Sequence, residues 1–291
     1  MNRILVTGAT SRIGRELISQ LLARGVQVRA LVRNPESAAF PQEVEVVRGD
    51  LIEPHSFVHC AAGVDAVFLL WTASQSAVAG SLDARLTRAR RIVFLSSPYK
   101  TPHPFFQGGQ PNQVSALHSE IERRIANSGS DWTFLRPGMF ASNALRWWAS
   151  QIRAGASVIR WPYAAAPTAP VHERDIAAVA VRALCEHGHT GAEYVLTGPE
   201  SLSQSEQLSI IGHEIGLPLR MEEISPQQAR SEPWFAPLPA WVVDMLFGAW
   251  SATIGQPAYV TSTIADVTGA PARTFRKWVS DCAAELRDTA L

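Results

Sequence analysis

The chain is predicted to fold as an α/β protein: a doubly wound parallel sheet followed by a smaller, mostly helical C-terminal part. Three observations carry this reading. Short, strongly apolar runs alternate with helical periodicities through the first half of the 291 residues. A glycine-rich turn, Gly8–Gly14, joins the first such run to the first helix. After Arg136-Pro137-Gly138 the texture changes, and seven of the nine tryptophans lie beyond residue 140.

Ile4–Thr7 is the first apolar run. Ile13, Leu17, Leu21 and Leu22 then recur at helical spacing, and Gly25 stops that helix. Further strands are expected at Val28–Val32, Val44–Val47, Val64–Leu70, Ile92–Leu95 and Trp132–Leu135. Val114, Leu117, Ile121 and Ile125 mark one face of a helix ending near Ser128-Gly129. Strands this apolar are covered on both faces, as in a parallel sheet. Farther on, the pattern predicts a helix over Phe140–Gln151, a Pro-punctuated loop over Trp161–Pro170 and a helix over Glu173–Cys185. Tyr194–Thr197 reads as a strand returning to the main sheet, and helices separated by Pro and Gly fill the chain from Ser203. The division is discontinuous: residues 1–137 with 190–198 form one domain, and 138–291 the substrate-binding part.

Composition narrows the function. Hydrophobic residues make up 46% and charged residues 18%, which fits a globular protein and excludes disorder. Lys+Arg and Asp+Glu are both 26, so no basic surplus points to nucleic acid. Ala66–Trp71 is too short an apolar run to span a bilayer, and no signal peptide is read at the N-terminus, so neither a membrane nor export is expected. Cys60, Cys185 and Cys282 are odd in number and far apart, which suits reduced thiols in a cytoplasm. His55, His59, His103, His187, His189 and His213 show no ligand spacing, and no metal site is expected.

The turn Gly8-Ala9-Thr10-Ser11-Arg12-Ile13-Gly14 sits where a dinucleotide pyrophosphate meets free N–H groups at a helix N-terminus, the geometry of a Rossmann domain. Gly8 permits the tight turn and Gly14 the close packing of helix on strand. Ser11 replaces a middle glycine and is small enough to be tolerated. At the end of the second strand, Leu31-Val32-Arg33-Asn34-Pro35 carries no acid to receive a free ribose hydroxyl. Arg33, helped by Arg12, is instead read as the partner of a 2′-phosphate, so NADP(H) is the expected cofactor. A solvated arginine at a strand end is the plainer alternative. Asp50-Leu51 is placed near the adenine, with a turn or helix cap as the alternative for Asp50. Leu70-Trp71-Thr72 and Pro137-Gly138 complete the cofactor-facing rim at the ends of the fourth and sixth strands.

These residues resemble the NmrA-like branch of the atypical short-chain dehydrogenase/reductases. The resemblance runs through Thr7–Gly14, Ala30–Pro35, Gly49-Asp50-Leu51, His118–Glu122, Ser128-Gly129, Trp132–Phe140, Asn143, Pro170–Ala177 and Leu196–Pro199. It covers residues 1–225 well and the tail loosely, and it specifies fold and cofactor rather than substrate. It implies quinone, dye or carbonyl reduction, or NADP sensing without turnover. The wider superfamily uses a Tyr, and a Lys four residues later. Counting back from Ser128-Gly129 places Val114 and His118 at those positions.

Candidates for the chemistry follow. His118 takes the lysine position, and Glu122, one helical turn on, is expected to raise its basicity; a surface His–Glu pair is the alternative. Ser96 and Ser97 follow the fifth strand, where hydroxyls reach the ligand crevice, and Tyr99 is close behind. Met139, Phe140, Trp147, Trp148 and Trp161 are read as a broad apolar substrate pocket, the alternative being the core of the smaller domain. Asp175 and His172 are read as structural, at the start of a helix. The favoured function is an NADPH-dependent reductase of a carbonyl, quinone or conjugated aromatic small molecule. The alternative is a non-enzymatic NADP(H) sensor that binds a protein partner; a sugar-nucleotide epimerase fares worse without the Tyr. A homo-oligomer is compatible with either.

Overall fold

The computed structural model describes residues 3–73, 78, 89–107 and 112–287. Its main sheet has seven strands: β1 (Arg3–Val6), β2 (Gln27–Val32), β3 (Val44–Arg48), β4 (Ala66–Leu70), β5 (Arg91–Leu95), β6 (Asp131–Pro137) and β9 (Ala192–Leu196). Their order is β3-β2-β1-β4-β5-β6-β9, and every pairing is parallel. The order reverses between β1 and β4, so a crevice opens there at the carboxyl ends of the strands. This is the doubly wound sheet expected from the sequence, with β9 returning to its edge.

Each face has its own core. On one face the helix Arg12–Ala23 inserts Ile13, Leu17 and Leu21, beside Ile176, Val179 and Ala180 of the helix Glu173–Cys185. Each such aliphatic side chain contributes about 1.5–3 kcal/mol by leaving water. On the other face Phe57, Ile121 and Ile125 pack on Leu5, Val67 and Phe94. The helix Glu173–Cys185 thus lies on the main sheet although it falls after residue 137, because a β6–β9 crossover needs a covering helix.

A third core belongs to the helices Asn143–Arg153, Gln204–Ile215, Ala240–Ser251 and Phe275–Asp281. Two strands inside it lie outside the sequence reading: β7 (Val158–Trp161) runs parallel to β11 (Arg220–Glu223). Part of the expected loop Trp161–Pro170 also pairs, as β8 (Pro167–Thr168) against β10 (Leu202–Ser203). No described helix is long and apolar enough to cross a membrane.

Candidate active site at the carboxyl edge of the sheet

The glycine turn is built for close approach. Gly8 has φ +61°, and a Cβ there would meet the Leu70 side chain at 3.0 Å. A Cβ on Gly14 would lie 2.3 Å from the Gly8 carbonyl oxygen, so the helix can sit this near the strand only with glycine. Ser11 is the helix N-cap with extended backbone, and its Oγ accepts from the Gly14 amide at 3.0 Å. That explains why serine serves where a glycine was expected: φ is −70°, and the side chain folds back onto its own helix. The Arg12 and Ile13 amides, at the head of the helix, have no backbone acceptor among the described residues, as expected of N–H groups that could donate to an anion. Thr10 is exposed at the turn, while the Ile13 side chain is in the core and contributes only backbone. Thr7, missed in the sequence reading, ties β1 to β4: its buried Oγ1 donates to the Leu70 carbonyl (3.0 Å) and accepts from the Leu70 amide (2.8 Å). Its place just before Gly8 was the available signal.

Other rim residues divide. Arg33 and Asp50 line one cleft beyond β2 and β3. Asp50 also accepts from the Ile52 amide at 3.0 Å, the turn role named as its alternative. Leu51 is turned into the core and Trp71 is buried beside it; Thr72 is exposed. Two expectations are corrected. Arg12 does not turn toward Arg33: its guanidinium pairs with Glu285, which the C-terminal helix Ala283–Arg287 brings to the head of the first helix. The Gly138 amide is spent on the Leu196 carbonyl (2.8 Å), extending the β6–β9 ladder, so Pro137-Gly138 offers no free N–H.

A buried ion network underlies the site. Glu122, 3% exposed on the helix Gln113–Ala126, accepts from Arg136 Nε (2.9 Å) and Nη2 (2.7 Å), from Ser96 Oγ (2.6 Å) and from Tyr99 Oη (2.7 Å). Arg136 also pairs with Glu193, and Lys100 Nζ lies 3.6 Å from Glu122. Burial pushes the Glu122 carboxyl up, but the donors from Arg136, Ser96 and Tyr99 outweigh it and hold the group below the usual glutamate range. Burial and the hydrogen bond to Glu122 push the Tyr99 phenol well above its ordinary value, so it stays protonated.

His118 stands apart from this network, which overturns the expected His118–Glu122 pair. Its Nδ1 lies 2.9 Å from the Val114 carbonyl and 3.1 Å from Ser97 Oγ. A carbonyl can only accept, so Nδ1 carries the proton, and the Ser97 oxygen can only accept from the same N–H. The Ser97 hydroxyl proton is therefore left for another acceptor. Burial lowers the His118 pKa, against the smaller opposing effects of Val114 and Glu122. Glu122 does act to raise its basicity, as expected, but burial outweighs that effect and the net pKa falls below the ordinary value.

Ser97 and Tyr99 open onto an apolar cleft with Val114, Phe105, Phe106 and Met139. Its far wall is Met245, Leu246 and Ala249 of the helix Ala240–Ser251, for which no sequence signal existed. Met139 is thus the one expected pocket residue that lines it. Phe140 packs on the first core. Trp147, Trp148 and Trp161 are buried in the third core, where Trp161 Nε1 donates to Gln204 Oε1 at 2.6 Å and its ring centroid lies 5.9 Å from that of Trp147. They have no face left for a ligand; the core alternative is the observed one. His172 and Asp175 are structural as read: His172 caps its helix by accepting from the Arg174 amide (3.2 Å), and Asp175 accepts from the Arg273 amide (2.7 Å).

Comparison with known proteins gives the family. A profile of NAD(P)H-binding proteins matches residues 8–187, well over half of the chain. The (4-alkanoyl-5-oxo-2,5-dihydrofuran-3-yl)methyl phosphate reductase of Streptomyces griseus is 35% identical over 284 residues, covering 96% of this chain and 97% of the relative. The NAD(P)H azoreductase of Xenophilus azovorans is 30% identical over 286 residues, covering 97% of this chain and 98% of the relative. The Escherichia coli NADPH-dependent quinone oxidoreductase, solved with NADPH, shares the fold at TM-score 0.77 and 22% identity, over 96% of this chain and 99% of that one. The chain therefore belongs to the NAD(P)H-binding family of NmrA-like atypical short-chain dehydrogenase/reductases, and it is an NAD(P)H-dependent oxidoreductase.

Proposed function

We propose that this chain is an NADPH-dependent reductase of conjugated, electron-poor small molecules: quinones, conjugated aromatics and conjugated carbonyl compounds. The observation that carries the reading is an apolar cleft without a free acid among the described residues. By the count back from Ser128-Gly129, Val114 and His118 take the positions of the superfamily's Tyr and Lys, and the Tyr99 hydroxyl that lines the cleft is held by Glu122. A bound nicotinamide supplies hydride; the protein orients ring and acceptor and excludes water. Met139, Met245 and Leu246 provide the exclusion. An acceptor whose π system spreads the incoming charge needs little acid help, whereas a simple ketone needs a proton donor. Ser97 supplies one hydrogen bond to the acceptor oxygen, its proton freed by His118 as described above. The two named relatives, an acyl-oxo-dihydrofuran phosphate reductase and an azoreductase, point to conjugated acceptors of this kind.

The test is a panel followed by loss of NADPH absorbance. Quinones, azo dyes and unsaturated lactones should turn over, and saturated aliphatic ketones should not. Equal rates on both groups would refute the reading. Ser97→Ala is expected to lower kcat roughly tenfold, the worth of one hydrogen bond of about 1.4 kcal/mol. His118→Ala should lose less, because it only orients that hydroxyl; both should leave NADPH affinity unchanged in a fluorescence titration. An unchanged kcat for Ser97→Ala would remove it from the mechanism.

The NADP(H) preference rests on Arg33 and on the absence of an acid at the end of β2. Arg33→Asp should weaken NADPH by at least about tenfold, the scale of a charge-assisted hydrogen bond, while NADH binding changes little. Equal losses for both cofactors would count against a 2′-phosphate contact.

A further inference from the structure

We infer that Arg48 is a second anchor for the phosphate on the adenosine ribose, sharing it with Arg33; this rests on the NADP(H) reading above. Arg48 is the last residue of β3, and Val32, the last of β2, is its register partner. Arg48 therefore ends β3, and Arg33 follows directly on the end of the adjacent parallel strand β2, at the same edge of the sheet. The Gly49 amide donates to the Val32 carbonyl at 2.9 Å, which locks the two strand ends together. Gly49 is also wedged against the helix Pro54–Cys60: a Cβ there would meet Cys60 Sγ at 2.9 Å and Ser56 Oγ at 3.0 Å. The relative position of the two arginines is thus set by backbone and packing before any ligand arrives.

Both side chains are exposed and line one cleft of about 600 Å³ with Asp50, Ser56, His55 and His59. Neither guanidinium pairs with a described residue, whereas Arg29, Arg123 and Arg136 all do. A dianion within reach of two unpaired guanidinium groups gains two attractions. Of the acids in the cleft, Asp50 is engaged by the Ile52 amide, which leaves Glu53 alone to compete. A phosphate monoester carries more charge than one carboxylate and presents oxygens in several directions, which suits two planar forks. An uncharged ribose hydroxyl would leave both arginines unmatched.

The purified full chain is titrated calorimetrically with adenosine 2′,5′-bisphosphate and with adenosine 5′-monophosphate. Wild type is expected to bind the bisphosphate more tightly. Arg48→Gln should lose at least tenfold of its affinity for the bisphosphate and none for the monophosphate, and Arg48→Lys should keep part of the preference. Arg48→Gln with wild-type affinity for the bisphosphate would overturn the proposal and leave Arg33 as the sole anchor. Equal losses for both nucleotides would overturn it too, by giving Arg48 a structural role. A wild type without preference would overturn both this proposal and the NADP(H) reading beneath it.

Discussion

Gly14→Ala is expected to abolish useful cofactor binding, although it adds a single methyl group. The new Cβ would sit 2.3 Å from the Gly8 carbonyl oxygen and 2.8 Å from Ala9 Cα, both backbone atoms that cannot rotate away. Either the turn or the head of the helix must move. Relief of such overpacking costs about 1–3 kcal/mol of stability. The larger consequence is functional, because the displaced elements carry the amides expected to bind the cofactor pyrophosphate. Misplacement by about 1 Å is worth roughly a hundredfold, and the NADPH dissociation constant should rise by that order. Gly25→Ala is the control. Gly25, unlike Gly14, has positive φ, +70°, but its Cβ would meet nothing within 4 Å. That substitution should cost about 1–2 kcal/mol in backbone strain and leave NADPH affinity intact. Fluorescence titration and urea unfolding of both variants separate the two effects. A Gly14→Ala protein that binds NADPH like wild type would mean that the turn does not grip the cofactor.

The contrast between Gly14 and Ser11 shows what a sequence can convey about such a site. Local features were legible: the alternation of strands and helices, the spacing of Gly8 and Gly14, and the missing acid after β2. They depend on residues close in the chain, so their pattern survives in one dimension. What failed depended on partners far away. Arg12 was assigned to the cofactor because it lies in the turn, but Glu285 arrives from the other end of the chain. Glu122 was paired with His118 on helical spacing alone. The charge on Arg136, brought alongside by β6, is a stronger partner than a neutral imidazole. The tryptophans admit both a pocket and a core, because aromatic residues suit both, and only burial decides between them. β7 and β11 were missed because they are four residues each and alternate with exposed Arg160, Glu222 and Glu223.

The same buried pair sets the second large expectation. Arg136→Met should destabilise the protein by about 3–5 kcal/mol at neutral pH, the usual cost of stripping a buried charge of its partner. Lys100, more than half exposed and 3.6 Å from Glu122, can replace only a fraction of that attraction. The double variant Glu122→Gln/Arg136→Met removes both charges and should recover most of the loss. The pH dependence follows from the sign of the Glu122 shift. Burial raises the carboxyl, the donors from Arg136, Ser96 and Tyr99 lower it further, and the net pKa is depressed in the folded state. Its contribution to wild-type stability is therefore complete above the unfolded value of about 4.3 and is lost as pH falls through the lower folded value. In Arg136→Met the strongest of those donors is gone and burial raises the group instead, so that variant should regain stability relative to wild type as acid protonates Glu122. Ser96 and Tyr99 hang from the same carboxylate. Losing Arg136 should therefore also disturb the cleft and lower kcat in molecules that remain folded. Urea denaturation of wild type and the variants between pH 4 and 7 checks the energetic claim. A cost for Arg136→Met below about 1 kcal/mol, in the range of an exposed pair, would show that Glu122 is solvated rather than buried.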